Sequence, residues 1–286
     1  CIGLPKTIDN DLPVTDNCPG FGSVAKYIAI STYEASLDVA SMANSSTKVF
    51  LLEVMGRHAG WLAASAGVIR DSISMPPHLI LLPEVVFNEK KFLLKVKKTV
   101  KEYGYCVVVA SEGIKNKNNK FIAASSTKDS FGHAHLGGVA PKLANIITTK
   151  LSYKVHWAVS DYLQRAARHV GSSVDVKQAY MVGYKALEYA KKGIDGVMLT
   201  IKSKKTKKYQ WEIKYTDLKK VANVEKSLPK NFITKDGYNI TASCKKYIKN
   251  LIYGEDYPPY KNGIPVYAKL KNILVKKKLK NFRVNL

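Results

Sequence analysis

The chain has few cysteines and no apolar stretch of membrane-spanning length. Its four cysteines form no CxxC pair and show no metal-ligand spacing; they are Cys1, Cys18, Cys106 and Cys244. Scattered thiols in a chain of 286 residues favour a reducing compartment over a disulfide framework. The longest apolar runs, at 49–52 and 79–82, are only as long as strands, and the amino end lacks a signal-peptide pattern. We therefore expect a cytoplasmic protein with no membrane partner.

Acidic residues are also scarce. The chain has 46 Lys and Arg against 22 Asp and Glu, a formal net charge of +24 at pH 7. Such a balance raises nucleic acids, membrane surfaces and phosphorylated metabolites as partners. The lysines crowd into residues 90–101, 202–208 and 269–280, and no RNA-type aromatic signature accompanies them. Solvated lysine-rich faces explain this pattern better than a nucleic-acid site does, so we expect no nucleic-acid partner.

The stretch richest in chemistry is the opening loop, residues 3–11, Gly-Leu-Pro-Lys-Thr-Ile-Asp-Asn-Asp. Pro5 and the later Pro13 restrict the backbone and discourage a helix, which predicts an ordered loop. A lysine can neutralise phosphate, one carboxylate can accept a hydroxyl proton, and a second can support a magnesium ion. The same residue types also suit a solvated polar turn that caps a helix. Residue types alone leave both interpretations open.

Hydrophobic periodicity predicts alternating strands and helices. Near-continuous apolar runs predict buried strands at 48–54, 79–82, 105–110, 154–159 and 196–201. Apolar residues at helical spacing predict helices at 21–42, 61–67, 88–103, 136–151 and 175–190. This order indicates α/β units on a mainly parallel sheet. After residue 203 the pattern weakens: we predict a helix at 218–229 and interpret the whole region as an extension or covering element.

Polar clusters follow three of the predicted strands. They are Met55-Gly56-Arg57, Ser111-Glu112-Gly113, and the run from Tyr162 to Arg165. Ligands of parallel α/β sheets gather at the carboxyl ends of the strands. The coincidence of polar residues with these ends predicts a functional site there.

Together with the opening loop, these clusters form an ordered set of motifs, which also includes Phe131-Gly132-His133 and Leu136-Gly137-Gly138. The set resembles the phosphofructokinase family, above all its pyrophosphate-dependent branch, over roughly residues 1 to 203. The resemblance implies an α/β fold of two Rossmann-like domains with mainly parallel sheets and an active-site cleft between them. It implies a magnesium-dependent transfer of phosphate from pyrophosphate to the 1-hydroxyl of fructose 6-phosphate. Transfer from ATP and a non-catalytic or regulatory subunit remain the alternatives.

The resemblance assigns the chemistry to the opening loop. Asp9 matches the general base, and an ionised Asp can accept the proton of the sugar hydroxyl. Thr7 would contact the sugar near that hydroxyl, and Asp11 would help to orient the reacting groups and, through water, magnesium. Lys6 falls where pyrophosphate users carry lysine, and its charge would stabilise the phosphates.

The resemblance assigns the sugar phosphate to the strand ends. Met55, Gly56 and Arg57 match the group that contacts fructose 6-phosphate, and Glu112 matches the carboxylate that accepts hydrogen bonds from sugar hydroxyls. A further pair would grip the 6-phosphate, where a guanidinium fork suits phosphate oxygens; its members are Tyr162 and Arg165. No partner cluster supports a metal site at His133 and His135, which we interpret as structural.

Three positions depart from the family pattern. Family members place arginines from a neighbouring subunit on the sugar phosphate, and the matching positions here hold Lys48 and His156. Lysine keeps the charge without the fork, and histidine is only partly charged near neutral pH. Asp161 replaces a glycine and adds a negative charge beside a phosphate site. The resemblance implies a homo-oligomer, a dimer or a tetramer.

The family's glycine-rich donor-phosphate loops would precede residue 1. Because the chain begins with Cys1 and not Met, directly before its densest motif, we expect an upstream part that completes the donor site. We predict a partial donor-side α/β domain of residues 1–20 and 163–203, a sugar-phosphate-side α/β domain of residues 21–162, and a lysine-rich extension of residues 204–286.

Overall fold

Strands and helices alternate along most of the chain. This computed structural model describes residues 1–128 and 134–279. The strands are β1 (Ile2–Gly3), β2 (Val49–Val54), β3 (Leu79–Leu81), β4 (Cys106–Ser111), β5 (Ala124–Lys128), β6 (Ala134–Leu136), β7 (Val155–Val159), β8 (Val197–Ser203), β9 (Trp211–Asp217), β10 (Tyr260–Lys261) and β11 (Ile264–Pro265). The helices are α1 (Phe21–Met42), α2 (Trp61–Ser65), α3 (Glu89–Tyr103), α4 (Val139–Leu151), α5 (Asp161–Ala166), α6 (Ser173–Lys191) and α7 (Ala242–Leu251).

A four-stranded parallel sheet, in the order β3-β4-β2-β7, organises the larger part of the molecule. Its central strands are the near-continuous apolar runs, and every residue of β4 is buried. Strands that are covered on both faces by helices have this composition. The five predicted strands are confirmed to within two residues at each end, and the α/β fold class is confirmed with them.

Helices cover both faces of this sheet. On one face α1 and α2 pack on β2 in a cluster that contains Phe21, Leu52 and Trp61. On the other face α3 and α4 bury Phe92 and Leu143 against β4. The five predicted helices are confirmed, although the one predicted at 61–67 forms α2 followed by a 3₁₀ turn. The carboxyl ends of these parallel strands can therefore form one site that is supported by a rigid core.

A second, smaller sheet has the order β1-β8-β9, with β1 parallel and β9 antiparallel to β8. Ile2 pairs with Val197, so the opening loop leaves this sheet directly. Helix α6 covers the sheet through Val182, which packs with Leu199 and Ile201. The predicted division into donor-side and sugar-side domains remains a prediction.

The C-terminal region is more closely integrated than an extension. Strand β9 pairs with the full length of β8. Helix α7, which was not predicted, is capped by Thr241 and buries Cys244, Ile248 and Leu251 in the same cluster as α1. Among the described residues, no helix is long and apolar enough to cross a membrane.

The predicted helix at 218–229 is wrong. Only Leu218–Lys220 forms a 3₁₀ turn, and the positive φ of 60° at Asn223 ends the helical geometry. Beyond it, the N–H groups of Lys226 and Leu228 donate to the Asp11 carbonyl oxygen and the Glu84 carboxylate. Alternate N–H groups are thus committed to tertiary partners, which a helix would have kept for itself.

Candidate active site

Asn10 anchors the opening loop in the core. Its side chain is fully buried; the amide oxygen accepts a hydrogen bond from the Cys18 N–H at 3.0 Å, and the amide nitrogen donates to the Tyr247 hydroxyl oxygen at 2.9 Å. Its φ of 56° lies in the left-handed region, which Asn tolerates. Asp9 and Asp11 flank this anchor and stay half-buried. The loop is therefore a fixed part of the fold and not a solvated turn.

Thr7 and Lys6 precede the anchor. The Thr7 hydroxyl oxygen accepts a hydrogen bond from the Asp9 N–H at 3.1 Å, which closes a local turn. The Lys6 side chain is exposed at the start of this turn. Both residues thus lie beside Asp9 along the loop, while their contacts with sugar and phosphate remain predictions.

The second and third motifs meet at the carboxyl ends of β2 and β4. The Arg57 N–H donates to Glu112 Oε1 at 3.1 Å, and the Glu112 N–H donates to the Val54 carbonyl oxygen at 3.0 Å. Gly56 and Arg57 have φ values of 130° and 50°. A Cβ on Gly113 would stand 1.5 Å from the Arg57 carbonyl oxygen, so only glycine fits there. Met55, before this turn, is partly buried against the core.

The pKa of Asp9 depends on charged groups from several segments of the site. This pKa is raised to about 7, mainly by burial and then by the neighbouring charges of Asp11, Glu112 and Glu225, while Arg57 acts in the opposite direction. Burial also raises the pKa of Glu112, which the Arg57 N–H partly offsets. The structure thus brings together four predicted site residues from three separate segments. A carboxylate with such a pKa is matched to accepting protons near neutral pH.

The negative charge of Asp9 and Asp11 suits a magnesium ion beside Asp11. Their mutual repulsion is the second-largest cause of the raised Asp9 pKa, and a nearby cation would relieve it. In the part of the chain that the structure describes, no group of three or more His, Cys, Asp or Glu could hold a metal ion. Magnesium typically takes one or two carboxylates and completes its shell with water and substrate phosphates. Asp11 is the residue that would hold it.

Tyr162 and Arg165 form a ready-made pair on α5. The Arg165 guanidinium carbon lies 4.2 Å from the centroid of the Tyr162 ring, and both side chains are exposed. Helix α5 follows the carboxyl end of β7 directly, and β7 neighbours β2 in the sheet. The pair therefore lies at the same sheet edge as Arg57. Asp161, with a φ of 37°, starts α5 and is exposed.

Lys48 and His156 lie at the opposite end of the sheet. Lys48 precedes β2, and its ammonium group donates to the Ala43 carbonyl oxygen. His156 pairs with Phe50 near the start of β7 and is exposed. Six strand residues separate this end from Met55, about 20 Å at the rise of a strand. These two residues cannot join Arg57 within one chain, so their predicted role requires a second copy and remains a prediction.

Glu53 is a structural residue of the site that the predictions missed. Its carboxylate accepts hydrogen bonds from the Gly138 and Ala140 N–H groups, at 2.9 and 2.7 Å, at the start of α4. A lone carboxylate in the apolar run of β2 was the signal that could have revealed it. The bonds to Glu53 hold the backbone of the Leu136-Gly137-Gly138 motif. Gly137 and Gly138 both have positive φ there, a conformation that favours glycine. Phe131-Gly132-His133 lies outside the described residues.

The C-terminal region also contributes residues that lie beside Asp11 and Arg57. Leu218 and residues 221–225 line a cavity of about 440 Å³ together with Asp11, Arg57 and His58. His58 Nδ1 lies 3.3 Å from Glu225 Oε2, and Glu225 acts on the charge of Asp9. No motif marked this segment, for which the sequence predicted only a helix at 218–229.

The fold and the site define an α/β protein of the phosphoryl-transfer type, with carboxylates and a guanidinium gathered at the carboxyl ends of parallel strands. The family model for phosphofructokinase matches residues 1–190, and the chain belongs to the phosphofructokinase family. This confirms the family that the motifs indicated.

The similar proteins share a specific name. The chain is 55% identical over 278 residues to the pyrophosphate–fructose 6-phosphate 1-phosphotransferase of Methylococcus capsulatus, covering 97% of this chain and 66% of that protein. It is 53% identical over 283 residues to the enzyme of the same name from Halomonas elongata, covering 99% and 68%. The crystal structure of the pyrophosphate-dependent phosphofructokinase from Marinobacter aquaeolei superposes with a TM-score of 0.88 at 54% identity, covering 98% of this chain and 67% of that chain. The chain spans about two thirds of the length of these relatives.

Proposed function

We propose that the polypeptide carrying this chain transfers a phosphoryl group from pyrophosphate to the 1-hydroxyl of fructose 6-phosphate, a step of glycolysis. The observation that carries the proposal is the position of Asp9, a half-buried carboxylate with a pKa raised to about 7 beside Asp11, Arg57 and Glu112. The names of the relatives at 53–55% identity support pyrophosphate over ATP as the donor. We place the reaction in the cytoplasm, where the buried free thiols of Cys18, Cys106 and Cys244 would stay reduced.

Asp9 acts as the general base of the reaction. It takes the proton of the 1-hydroxyl as the hydroxyl oxygen forms a bond to the terminal phosphorus of pyrophosphate. The bond from that phosphorus to the bridging oxygen breaks, and inorganic phosphate leaves with the bridging electron pair. Fructose 1,6-bisphosphate and phosphate are the products. Thr7 helps to hold the Asp9 backbone during this transfer, because its hydroxyl oxygen binds the Asp9 N–H.

Cationic groups stabilise the phosphates during transfer. Arg57 lies within electrostatic reach of Asp9 and would face the transferring phosphate, and the exposed Lys6 would meet the leaving phosphate. Magnesium, held by Asp11, would neutralise phosphate charge when bound. These charges lower the barrier because little covalent chemistry is left for the protein to perform.

The sugar phosphate binds along the sheet edge. Glu112 would accept hydrogen bonds from sugar hydroxyls, and the turn at Met55 and Gly56 would contact the sugar. The guanidinium of Arg165, stacked on Tyr162, would grip the 6-phosphate. The preformed stack lowers the entropy lost when the phosphate binds.

A homo-oligomer would complete the sugar-phosphate site with its remaining residues. Lys48 and His156 would reach a sugar phosphate only in another copy. Strand β7 is the edge of the sheet and exposes 48% of Trp157 and 40% of Val159. An unprotected apolar edge of this kind favours association. Equal mixing of unfolded Asp9→Ala and His156→Ala variants, followed by refolding, is expected to restore activity that neither variant has alone; absence of restoration would contradict a shared site.

Donor-dependent turnover tests the proposed function. We expect formation of fructose 1,6-bisphosphate with pyrophosphate and magnesium, and at least tenfold less with ATP. Asp9→Asn is expected to lower kcat about 10²- to 10⁴-fold, the usual worth of a general base. Unchanged turnover in that variant, or a preference for ATP as the donor, would contradict the proposed function. Calorimetric binding of fructose 6-phosphate to Asp9→Asn checks that the sugar site stays intact.

A further inference from the structure

Lys226 fastens the C-terminal segment to the loop that carries the catalytic carboxylates. Its backbone N–H donates to the Asp11 carbonyl oxygen at 2.6 Å. Its ammonium group donates to the carbonyl oxygens of Thr15 and Asp16, at 3.1 and 3.3 Å. One residue thus satisfies three carbonyl groups within six positions of the chain. In the part of the chain that the structure describes, no side-chain carboxylate bonds to this ammonium group. Its hydrogen bonds go to backbone carbonyl oxygens of the loop instead.

The backbone that Lys226 holds is strained. Val14 has a φ of 66°, a left-handed conformation that a β-branched residue rarely adopts. Its side chain is 38% exposed, so burial of the valine does not repay the cost. Strained residues persist only where the surroundings over-determine them. The two carbonyl groups bound by the ammonium group directly follow Val14.

Lys226 also contacts Trp61, which follows the Met55-Gly56-Arg57 motif. Its ammonium group lies 5.2 Å from the centroid of the Trp61 ring, and its carbonyl oxygen accepts a hydrogen bond from Trp61 Nε1 at 2.9 Å. Trp61 begins α2, four residues after Arg57. Trp61 is itself buried among Phe21, Phe232 and Tyr247, which fixes its ring. Lys226 is therefore braced against the rigid core on one side while it holds the loop on the other.

We propose that Lys226 is a positioning residue for phosphoryl transfer, which holds the strained turn at Val14 and thereby fixes Asp9 and Asp11 relative to Arg57. This role rests on the proposed function, because it concerns the loop that supplies the base. Lys226 acts through the loop, so it affects the chemical step more than the affinity for sugar phosphate. Misplacement of a catalytic group by about 1 Å can cost about 10²-fold in rate.

Kinetics of Lys226 variants provide the first test. We expect Lys226→Met to lower kcat about 10²-fold while KM for fructose 6-phosphate changes less than about twofold. Lys226→Arg, which keeps a charged donor, is expected to recover at least about tenfold of this loss. The matched control is Lys26→Met, because Lys26 is also buried and its ammonium group donates to the Gly254 carbonyl oxygen at 2.8 Å. We expect it to lower Tm without lowering kcat. A raised KM with unchanged kcat in Lys226→Met, or an equal kcat loss in Lys26→Met, would overturn the proposal.

Val14→Gly tests whether strain links the two positions. Glycine adopts a φ of 66° without cost, so the loop no longer needs the same restraint. We expect Val14→Gly alone to keep kcat within about threefold, and to recover about tenfold of kcat when it is added to Lys226→Met. Effects that simply multiply would contradict a shared strained turn. The double variant also keeps the test decisive if Lys226→Met alone fails to fold.

Amide hydrogen exchange separates this inference from the proposed activity. We expect the amides of residues 9–17 to exchange at least about tenfold faster in Lys226→Met than in the unmodified chain, and to be unchanged in Lys26→Met. If the unmodified protein shows no pyrophosphate-dependent transfer, the proposed function fails, while the exchange result still reports on the restraint. Unchanged exchange in Lys226→Met refutes the restraint, whatever the turnover.

Discussion

The Arg57 N–H donates a hydrogen bond to the carboxylate of Glu112, 55 positions later in the chain, at 3.1 Å. This bond joins the turns that follow β2 and β4, neighbouring parallel strands of the main sheet. The bond uses the Arg57 backbone N–H and not its guanidinium. It therefore fixes the backbone from which the guanidinium extends. The sheet thus aligns a cation and a carboxylate that belong to separate motifs.

Gly113→Ala tests the close approach of these two turns. The added Cβ would stand 1.5 Å from the Arg57 carbonyl oxygen, so the turn must move. We expect a loss of about 1–3 kcal/mol in the free energy of unfolding, measured by chemical denaturation. The matched control is Gly183→Ala on α6, where a Cβ meets nothing within 4 Å, and where we expect a gain of about 0.5–1 kcal/mol in the 286-residue chain. A Gly113→Ala chain as stable as the unmodified one would refute the contact.

The pH profile of the reaction reports the ionisation of Asp9. Its pKa in the folded protein is raised to about 7, and only the ionised carboxylate can accept the hydroxyl proton. We therefore expect kcat/KM to fall about tenfold per pH unit below pH 7 and to level off above it. The residual activity of Asp9→Asn is expected to lack this dependence. An acid limb centred near pH 4 would exclude Asp9, in its buried state, as the base.

The same ionisation affects stability in the opposite direction from a salt-bridged carboxylate. The folded-state pKa of Asp9 lies above the ordinary value of 3.8 for an Asp side chain, so the folded state binds the proton more tightly than the unfolded state. The favourable contribution of the protonated group is therefore lost as pH rises from about 4 to about 7. Relative to the unmodified protein, we expect Asp9→Asn to gain about 1–3 kcal/mol between pH 5 and pH 8, measured from parallel urea titrations. A constant difference across this range would contradict the raised pKa.

Arg165→Lys tests the proposed 6-phosphate contact. Lysine keeps the charge but loses the planar fork and its stacking on Tyr162. We expect KM for fructose 6-phosphate to rise about tenfold with kcat within about threefold, because the contact is made equally before and during transfer. Arg168→Lys is the control, since Arg168 bonds to Asp256 in this chain and has no proposed substrate contact. A loss confined to kcat in Arg165→Lys would place the residue at the reacting centre.

The sequence predicted the elements whose periodicity agrees with their packing. The run at 49–54 is apolar because both faces of β2 are covered, and the helical spacing at 88–103 appears in the buried Phe92, Val96 and Val100 of α3. The strand-end clusters could be placed together because parallel strands share an edge. Their grouping around Asp9 follows from the fold, while their individual roles rest on the family pattern.

The C-terminal region could not be predicted in the same way. Between β9 and α7, residues pack as single insertions from an irregular chain, such as Leu228, which carries no periodic signal. Lys226 and Glu225 were hidden among many lysines and a falsely helical pattern. Their contacts are with residues more than 160 positions away, such as His58, Trp61 and Thr15, which no local window contains.

The bonds from Lys226 also set an order for biosynthesis. Lys226 and Thr15 are 211 positions apart, and β1 pairs with β8 over a similar separation. At roughly 5–20 residues per second, about 10–40 seconds pass between synthesis of the opening loop and synthesis of the residue that holds it. During this interval on the ribosome, the strained turn at Val14 has no restraint from Lys226. The nascent chain thus exposes Asp9 and Asp11, the aspartates proposed to act in the reaction, well before Lys226 can fix their loop.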